Sequence, residues 1–196
     1  MNFINTSKVY LGSNSPRRKF LMEALGIQCE VLPSHMDEII PDGMPAEEAP
    51  VYLAKEKNNH IRANRNVDGA LVTADTVVIH QSRILGKPKN REEAIAMLRS
   101  LSSTRHSVIT GVCISSSDRS ESFSSHTYVT FGELSLSEID YYVTHYEVLD
   151  KAGAYGIQDW IGHAKVTKLE GSFTNVMGLP TESLYERIKS FVDFQL

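Results

Sequence analysis

The chain has 196 residues, 41% hydrophobic and 22% charged, with a formal net charge of -4. That is enough apolar content to bury one substantial core, and the mildly acidic balance argues against a general binder of nucleic-acid backbone, so no nucleic-acid partner is expected. No apolar run approaches the ~18–20 residues of a membrane span, and residues 1–10 lack the basic-then-apolar order of a secretory signal, so a cytoplasmic protein with no membrane partner is expected. Cys29 and Cys113 lie far apart in apolar stretches and read as free thiols of a reducing compartment rather than a disulfide.

In chain order, Val9–Leu11 reads as a short strand running into the polar turn 12–15. Ser15 then caps a helix that begins at Pro16, shows Phe20, Leu21, Ala24 and Leu25 as its apolar face, and ends at Gly26. Residues 29–32 read as a second strand, followed by a loop with Asp37 and Glu38 and a helix over about 46–63. The β-branched run 71–79 has the pattern of a strand covered on both faces. A turn at 80–82 leads back to Ile84 and Leu85, and Asn90 with Glu93 opens a helix over 91–101 with Ile95, Leu98 and Leu101 inward. Residues 106–114 and 122–131 alternate as two strands joined by a polar turn, Ser135 and Glu138 cap a helix to about His145, and a glycine-punctuated stretch covers 152–180. The last helix, about 182–193, places Leu184, Ile188, Phe191 and Val192 on one face. Early alternation of strands and helices followed by hairpins predicts an α/β fold with a mixed sheet and no visible domain linker.

Three places break local structural rules, and each suits phosphate. Arg17, Arg18 and Lys19 crowd the first turn of a helix, where the dipole disfavours cations unless an anion is present. With Ser13, Ser15 and free backbone N–H groups they form a phosphate cradle, or else a solvated basic turn. Asp75 sits inside an apolar strand, where an unpaired carboxylate is costly, so it needs a metal, a lysine or water, or satisfaction by Thr76 or a backbone amide. Lys57 falls between Leu53 and Ile61 on the inward stripe of its helix and either snorkels or points at a carboxylate or phosphate. Lys87, flanked by Gly86 and Pro88, suits a cation on a site wall or a plain turn lysine. The seven histidines show no zinc-ligand spacing, and no G-x-S-x-G elbow supports a serine hydrolase.

These residues lie in the segments LGSNSPRRKFLMEALG (11–26), YLAKEK (52–57), ADTVV (74–78), ILGKPKNREEAIAMLRSLS (84–102), HSVITGV (106–112), LDKAGAYGIQ (149–158) and EGSFTNVMGLP (170–180). Their order and content resemble the Maf family, the septum-formation-inhibitor-like nucleotide pyrophosphatases, over nearly the whole chain. The resemblance implies one Maf-like domain over 1–196. It implies an α/β fold with a mixed twisted sheet and flanking helices, related to the inosine-triphosphate pyrophosphatases, with a cleft between two lobes. It further implies cleavage of a nucleoside triphosphate between the α- and β-phosphates with a divalent metal such as magnesium or manganese. Asp75 becomes the proton acceptor, Glu38 and Asp75 the metal ligands, and Ser13, Arg17, Arg18, Lys57 and Lys87 the phosphate contacts. The segments around 149–180 resemble the branch acting on dTTP and UTP, in which Arg17, Thr76 and Gln158 set base choice, the amide of Gln158 matching a pyrimidine edge. A homodimer is plausible from the family. Two alternatives stand beside this reading: the same chemistry on a modified purine nucleotide such as 7-methyl-GTP, and a nucleotide-binding regulator of cell division. Two departures are visible: Gly12 stands where the family commonly has alanine, and Asp159–Lys165 replaces a glycine-rich apolar stretch.

Overall fold

Apolar, β-branched runs build the strands of this protein, and side-chain caps start three of its helices. The computed structural model describes residues 4–5, 7–192 and 194–195. Its elements are β1 (Ile4–Asn5), β2 (Val9–Leu11), α1 (Pro16–Ala24), β3 (Glu30–Val31), α2 (Ala49–Asn64), β4 (Ala70–His80), β5 (Arg83–Leu85), α3 (Arg91–Leu101), β6 (Arg105–Ser115), β7 (Ser120–Phe131), α4 (Leu136–His145), a 3-10 turn (Ala152–Ala154), α5 (Trp160–Lys165), β8 (Val166–Glu170), α6 (Phe173–Met177), α7 (Thr181–Ile188) and β9 (Phe194–Gln195). The main sheet has the order β3-β2-β4-β6-β7-β8, with β5 paired to β4, and β1 pairs with β9 in a separate ribbon. β2 is parallel to both β3 and β4, whereas β5 on β4 and β8 on β7 are antiparallel. This is the expected mixed sheet with helices packed against it.

The residues group into two compact units, 1–75 with 110–125 and 178–196, and 76–109 with 126–177. The boundaries fall inside β4, β6 and β7. In the first unit Leu11, Leu53, Ile61, Leu71 and Val72 are buried. β4 is buried at ten of its eleven positions, the pattern expected of a strand covered on both faces. In the second unit α3 buries Ala94, Leu98 and Leu101, and α4 buries Ile139 and Tyr142.

Ser15 caps α1 by accepting from the Arg18 N–H, Asn90 caps α3 by accepting from the Glu93 N–H, and Ser135 with Glu138 makes a reciprocal capping box on α4. Each such cap typically contributes ~1 kcal/mol. The apolar face of α1 differs in part from expectation: Leu21 turns inward as expected, but Phe20 is 59% exposed and Met22 is buried in its stead. On α3, Ile95 is half-buried and Ala94 takes the inward place. α7 ends at Ile188, so Phe191 and Val192 follow it in a turn, and Asp193, the predicted helix end, lies outside the described residues. The glycine-punctuated stretch contains α5, β8 and α6, none of which its composition announced.

Candidate active site

Five of the expected site residues lie in the first unit in two directly bonded groups, Lys57 with Asp75 and Glu38, and Ser13 with Arg18. β4 alternates its side chains, so Thr73 and Asp75 share one face. Asp75 is 6% exposed and Lys57 is also 6% exposed. The Lys57 Nζ lies 2.6 Å from Asp75 Oδ1 and 2.6 Å from Glu38 Oε1. Lys57 therefore points at carboxylates and does not snorkel, and Asp75 is satisfied by an ammonium. Glu38, in the loop between β3 and α2, keeps 42% of its side chain exposed. One buried cation thus ties together two carboxylates from different elements. Removing Lys57 would leave the Asp75 carboxylate buried and unmatched, a loss that typically costs ~3–5 kcal/mol.

The start of α1 supplies the second half of the cluster. The Ser13 hydroxyl oxygen accepts from the Ser15 N–H at 3.2 Å and from Arg18 Nη1 at 3.1 Å. Arg18 Nε donates to the Gly178 carbonyl at 2.8 Å, which ties the first turn of α1 to the segment leading into α7. Burial lowers the Arg18 pKa, Asp75 opposes that shift, Arg17 adds to it and Glu38 opposes it. Arg17, half-buried, joins the same electrostatic group. The arginines of this basic first turn are half-buried, and Arg18 feels two nearby acids, so the turn is not a fully solvated one.

The remaining expected residues lie in the second unit. Thr76 is half-buried on the strand face opposite Asp75, and Lys87 is exposed on the turn after β5. The Gly153 N–H donates to the Gly86 carbonyl at 3.0 Å and so holds that turn to the 3-10 segment. Gly153 has φ +68, and a Cβ there would press on Val78 at 3.1 Å, so glycine answers two demands at once. Gln158 carries a buried Oε1 that has no hydrogen-bond partner among the described residues. An unfilled buried acceptor costs about 1–3 kcal/mol, which a ligand donor would recover.

A network that sequence reasoning passed over sits beside Gln158. The Tyr142 hydroxyl donates to Asp159 Oδ2 at 2.7 Å and accepts from the Gly156 N–H at 3.0 Å. Lys151 Nζ, 7% exposed, donates to Asp150 Oδ1 at 2.7 Å and lies 4.0 Å from Asp159 Oδ2. Asn58, next to Lys57, was also passed over: its Nδ2 donates to Thr73 Oγ1 at 3.3 Å, and its Oδ1 accepts from the Ser115 hydroxyl at 2.6 Å. The available signal was a polar side chain between the buried Ala54 and Ile61 of α2.

The family model described as Maf-like protein matches residues 8–191. The chain belongs to the Maf-like family. It is 47% identical over 184 residues to the dTTP/UTP pyrophosphatase of Bacteroides fragilis (strain YCH46), covering 93% of this chain and 95% of that one. It is 49% identical over 188 residues to the dTTP/UTP pyrophosphatase of Porphyromonas gingivalis (strain ATCC 33277), covering 94% of each. Among solved structures, the Ham1 protein of Staphylococcus aureus aligns with a TM-score of 0.40 at 14% identity, over 63% of this chain and 71% of that one.

In this Maf-like chain the metal expectation rests on two carboxylates. Among the described residues no group of three or more His, Cys, Asp or Glu converges as a metal site. Glu38 and Asp75 nevertheless converge on one cationic point, the Lys57 ammonium. That donor set fits a hard ion of the magnesium type, which takes one or two carboxylates and completes its shell with substrate oxygens and water.

Proposed function

We propose that this Maf-like protein hydrolyses dTTP and UTP to the nucleoside monophosphate and pyrophosphate. The observation that carries the reading is the buried Asp75 carboxylate, linked through Lys57 to Glu38 and set beside the Ser13–Arg18 cradle. The two pyrophosphatase relatives, at 47% and 49% identity, support the substrate class. A protein that only binds nucleotides needs the basic cradle but has no use for a buried carboxylate within reach of it.

In this mechanism water attacks the α-phosphorus in line with the leaving pyrophosphate. Asp75 orients the water and accepts its proton as the new P–O bond forms. Lys57 holds the two acids and offers its remaining N–H to a phosphate oxygen. Arg17, Arg18 and Lys87 neutralise the charge that builds on the leaving group, because this chemistry is mostly positioning and electrostatics. Ser13 orients Arg18. A divalent cation of the magnesium or manganese type, held by Glu38 and Asp75, supplies Lewis-acid charge neutralisation when bound. Thr76 and Gln158 read the base, the unpartnered Oε1 of Gln158 accepting from the thymine or uracil N3–H. No helix among the described residues is long and apolar enough to cross a membrane. The cytoplasmic nucleotide pool is the proposed working place.

Hydrolysis of dTTP in ¹⁸O-labelled water tests the reaction. Attack on the α-phosphorus puts the label in the monophosphate and leaves the pyrophosphate unlabelled. Label in the pyrophosphate, or release of orthophosphate, would contradict it.

A further inference from the structure

A polar cavity of about 710 Å³ opens in the first unit, between α2 and the end of the β6–β7 hairpin. Lys55, Asn58 and Arg62 line it from the helix, and Ser115, Ser117 and Arg119 line it from the hairpin. None of the residues of the Asp75 cluster contributes to its wall. The wall carries three cations against one acid, Asp118, whose carboxylate already accepts the Ser116 hydroxyl at 2.7 Å.

Arg62 is the feature that asks for an anion. Its guanidinium is half-buried and donates to Ser115 Oγ at 2.8 Å and to the carbonyls of Ser115, Val67 and Gly69 at 2.7, 3.0 and 2.9 Å. Every one of these acceptors is neutral, so the charge is fixed in place but matched by no carboxylate among the described residues. One of its five N–H groups remains for a ligand. Burial lowers the Arg62 pKa, and the neighbouring Cys113 opposes that shift. Lys55, exposed about two turns earlier on α2, adds a second cation, and the two together oppose the burial that pushes the Cys113 thiol up to about 11. Fixed guanidinium, mobile ammonium and serine hydroxyls form the donor set that phosphate oxygens match best. The volume exceeds what one inorganic ion fills, and the net charge of -4 disfavours a nucleic acid.

We propose that this pocket binds a small phosphorylated molecule at a site separate from the Asp75 cluster. Asn58 joins the two places, since it lines the pocket, follows Lys57 in α2 and bonds Thr73 on the Asp75 face of β4.

Titration calorimetry of the full chain with inorganic pyrophosphate tests the proposal, with dTTP turnover as a separate readout. Wild type should bind one equivalent more than Lys55→Glu combined with Ser117→Glu; both positions are exposed, so the fold is kept. Lys55→Ala should weaken that equivalent about tenfold, as expected for loss of one charge-assisted contact. Turnover at saturating dTTP should stay within about twofold of wild type in both variants. Equal stoichiometry in wild type and double variant, or unchanged affinity in Lys55→Ala, would overturn the proposal. The stoichiometry reads the pocket whether or not dTTP is the substrate, so its failure and the failure of the proposed reaction are distinguishable.

Discussion

Asp75 and Lys57 form a pair whose members are each only 6% exposed, and that pairing sets what single substitutions should do. Asp75→Asn keeps an oxygen for the Lys57 ammonium, and Glu38 keeps the charge matched, so the variant should fold. It loses the proton acceptor, and the expected fall in turnover is ~10²–10⁴-fold. Pyrophosphate release measured beside a thermal melt checks this; a folded Asn variant with near-normal release would remove Asp75 from its role. Gln158 makes a different prediction. Its Oε1 is buried and unpartnered, its Nε2 lies close to Gly156, and base choice by this residue requires the amide to be held in this orientation. Cytosine presents an unprotonated N3 where thymine presents a donor, and that mismatch should cost about 1–3 kcal/mol. Gln158→Ala should therefore shrink the dTTP-to-CTP ratio of kcat/KM more than it lowers the rate on dTTP. An unchanged ratio would move base reading elsewhere.

The start of α1 is where the element scale changes an expectation. Cations in a first turn oppose the helix dipole, which on its own makes Arg18→Ala neutral or stabilising. The bonds from Arg18 to Gly178 and Ser13 reverse that sign. Arg18→Ala should lower stability by about 1–2 kcal/mol and weaken nucleotide affinity as well, readable by urea denaturation and by binding. Gly12, the other departure from the family pattern, is now explained locally: a Cβ there would meet Thr73 Cγ2 at 2.5 Å and Ile61 Cδ1 at 2.7 Å. Thr73 cannot turn away freely, because its hydroxyl donates to the Ala54 carbonyl at 2.7 Å. Gly12→Ala should cost about 1–3 kcal/mol, and Thr73→Ser, which deletes the clashing methyl, should restore part of it in the double variant. The caps at Ser15, Asn90 and Ser135 and the buried run of β4 were legible because their signals are local: a side-chain oxygen before a helix, an unbroken apolar stretch. Asp75 and Lys57 were legible as residues out of place. Glu38 was not, since an exposed loop acid carries no local signature, and only the family resemblance singled it out. α5, β8 and α6 escaped because tertiary contacts make them; β8 buries none of its five residues, so no alternation marks it. The Tyr142–Asp159–Lys151 network joins three separate segments and has no spacing that a linear reading could find.

At the scale of the whole molecule, one buried histidine should govern stability in mild acid. His106 is 2% exposed, with Nε2 2.7 Å from the Tyr155 hydroxyl, and burial with the neighbouring His80 lowers its pKa to about 3. The unfolded chain takes up that proton near 6.5 while the folded chain stays neutral. Stability is therefore fully present above about 6.5 and declines as pH falls towards 3, at no more than ~1.4 kcal/mol per unit. From pH 6.5 to 5 the loss should reach about 2 kcal/mol in urea denaturation, and His106→Gln should flatten it. Glu138, whose carboxyl is held near 2 by Lys165 and Ser135, contributes only below its ordinary 4.5 and leaves that window clear. The reaction itself is tested most directly by kcat/KM for pyrophosphate release from dTTP, UTP, CTP and 7-methyl-GTP with magnesium. The expected result is dTTP and UTP at least about tenfold above CTP and 7-methyl-GTP, with pyrophosphate as the released product. Equal efficiency on all four, a preference for 7-methyl-GTP, or no pyrophosphate from any of them would contradict it.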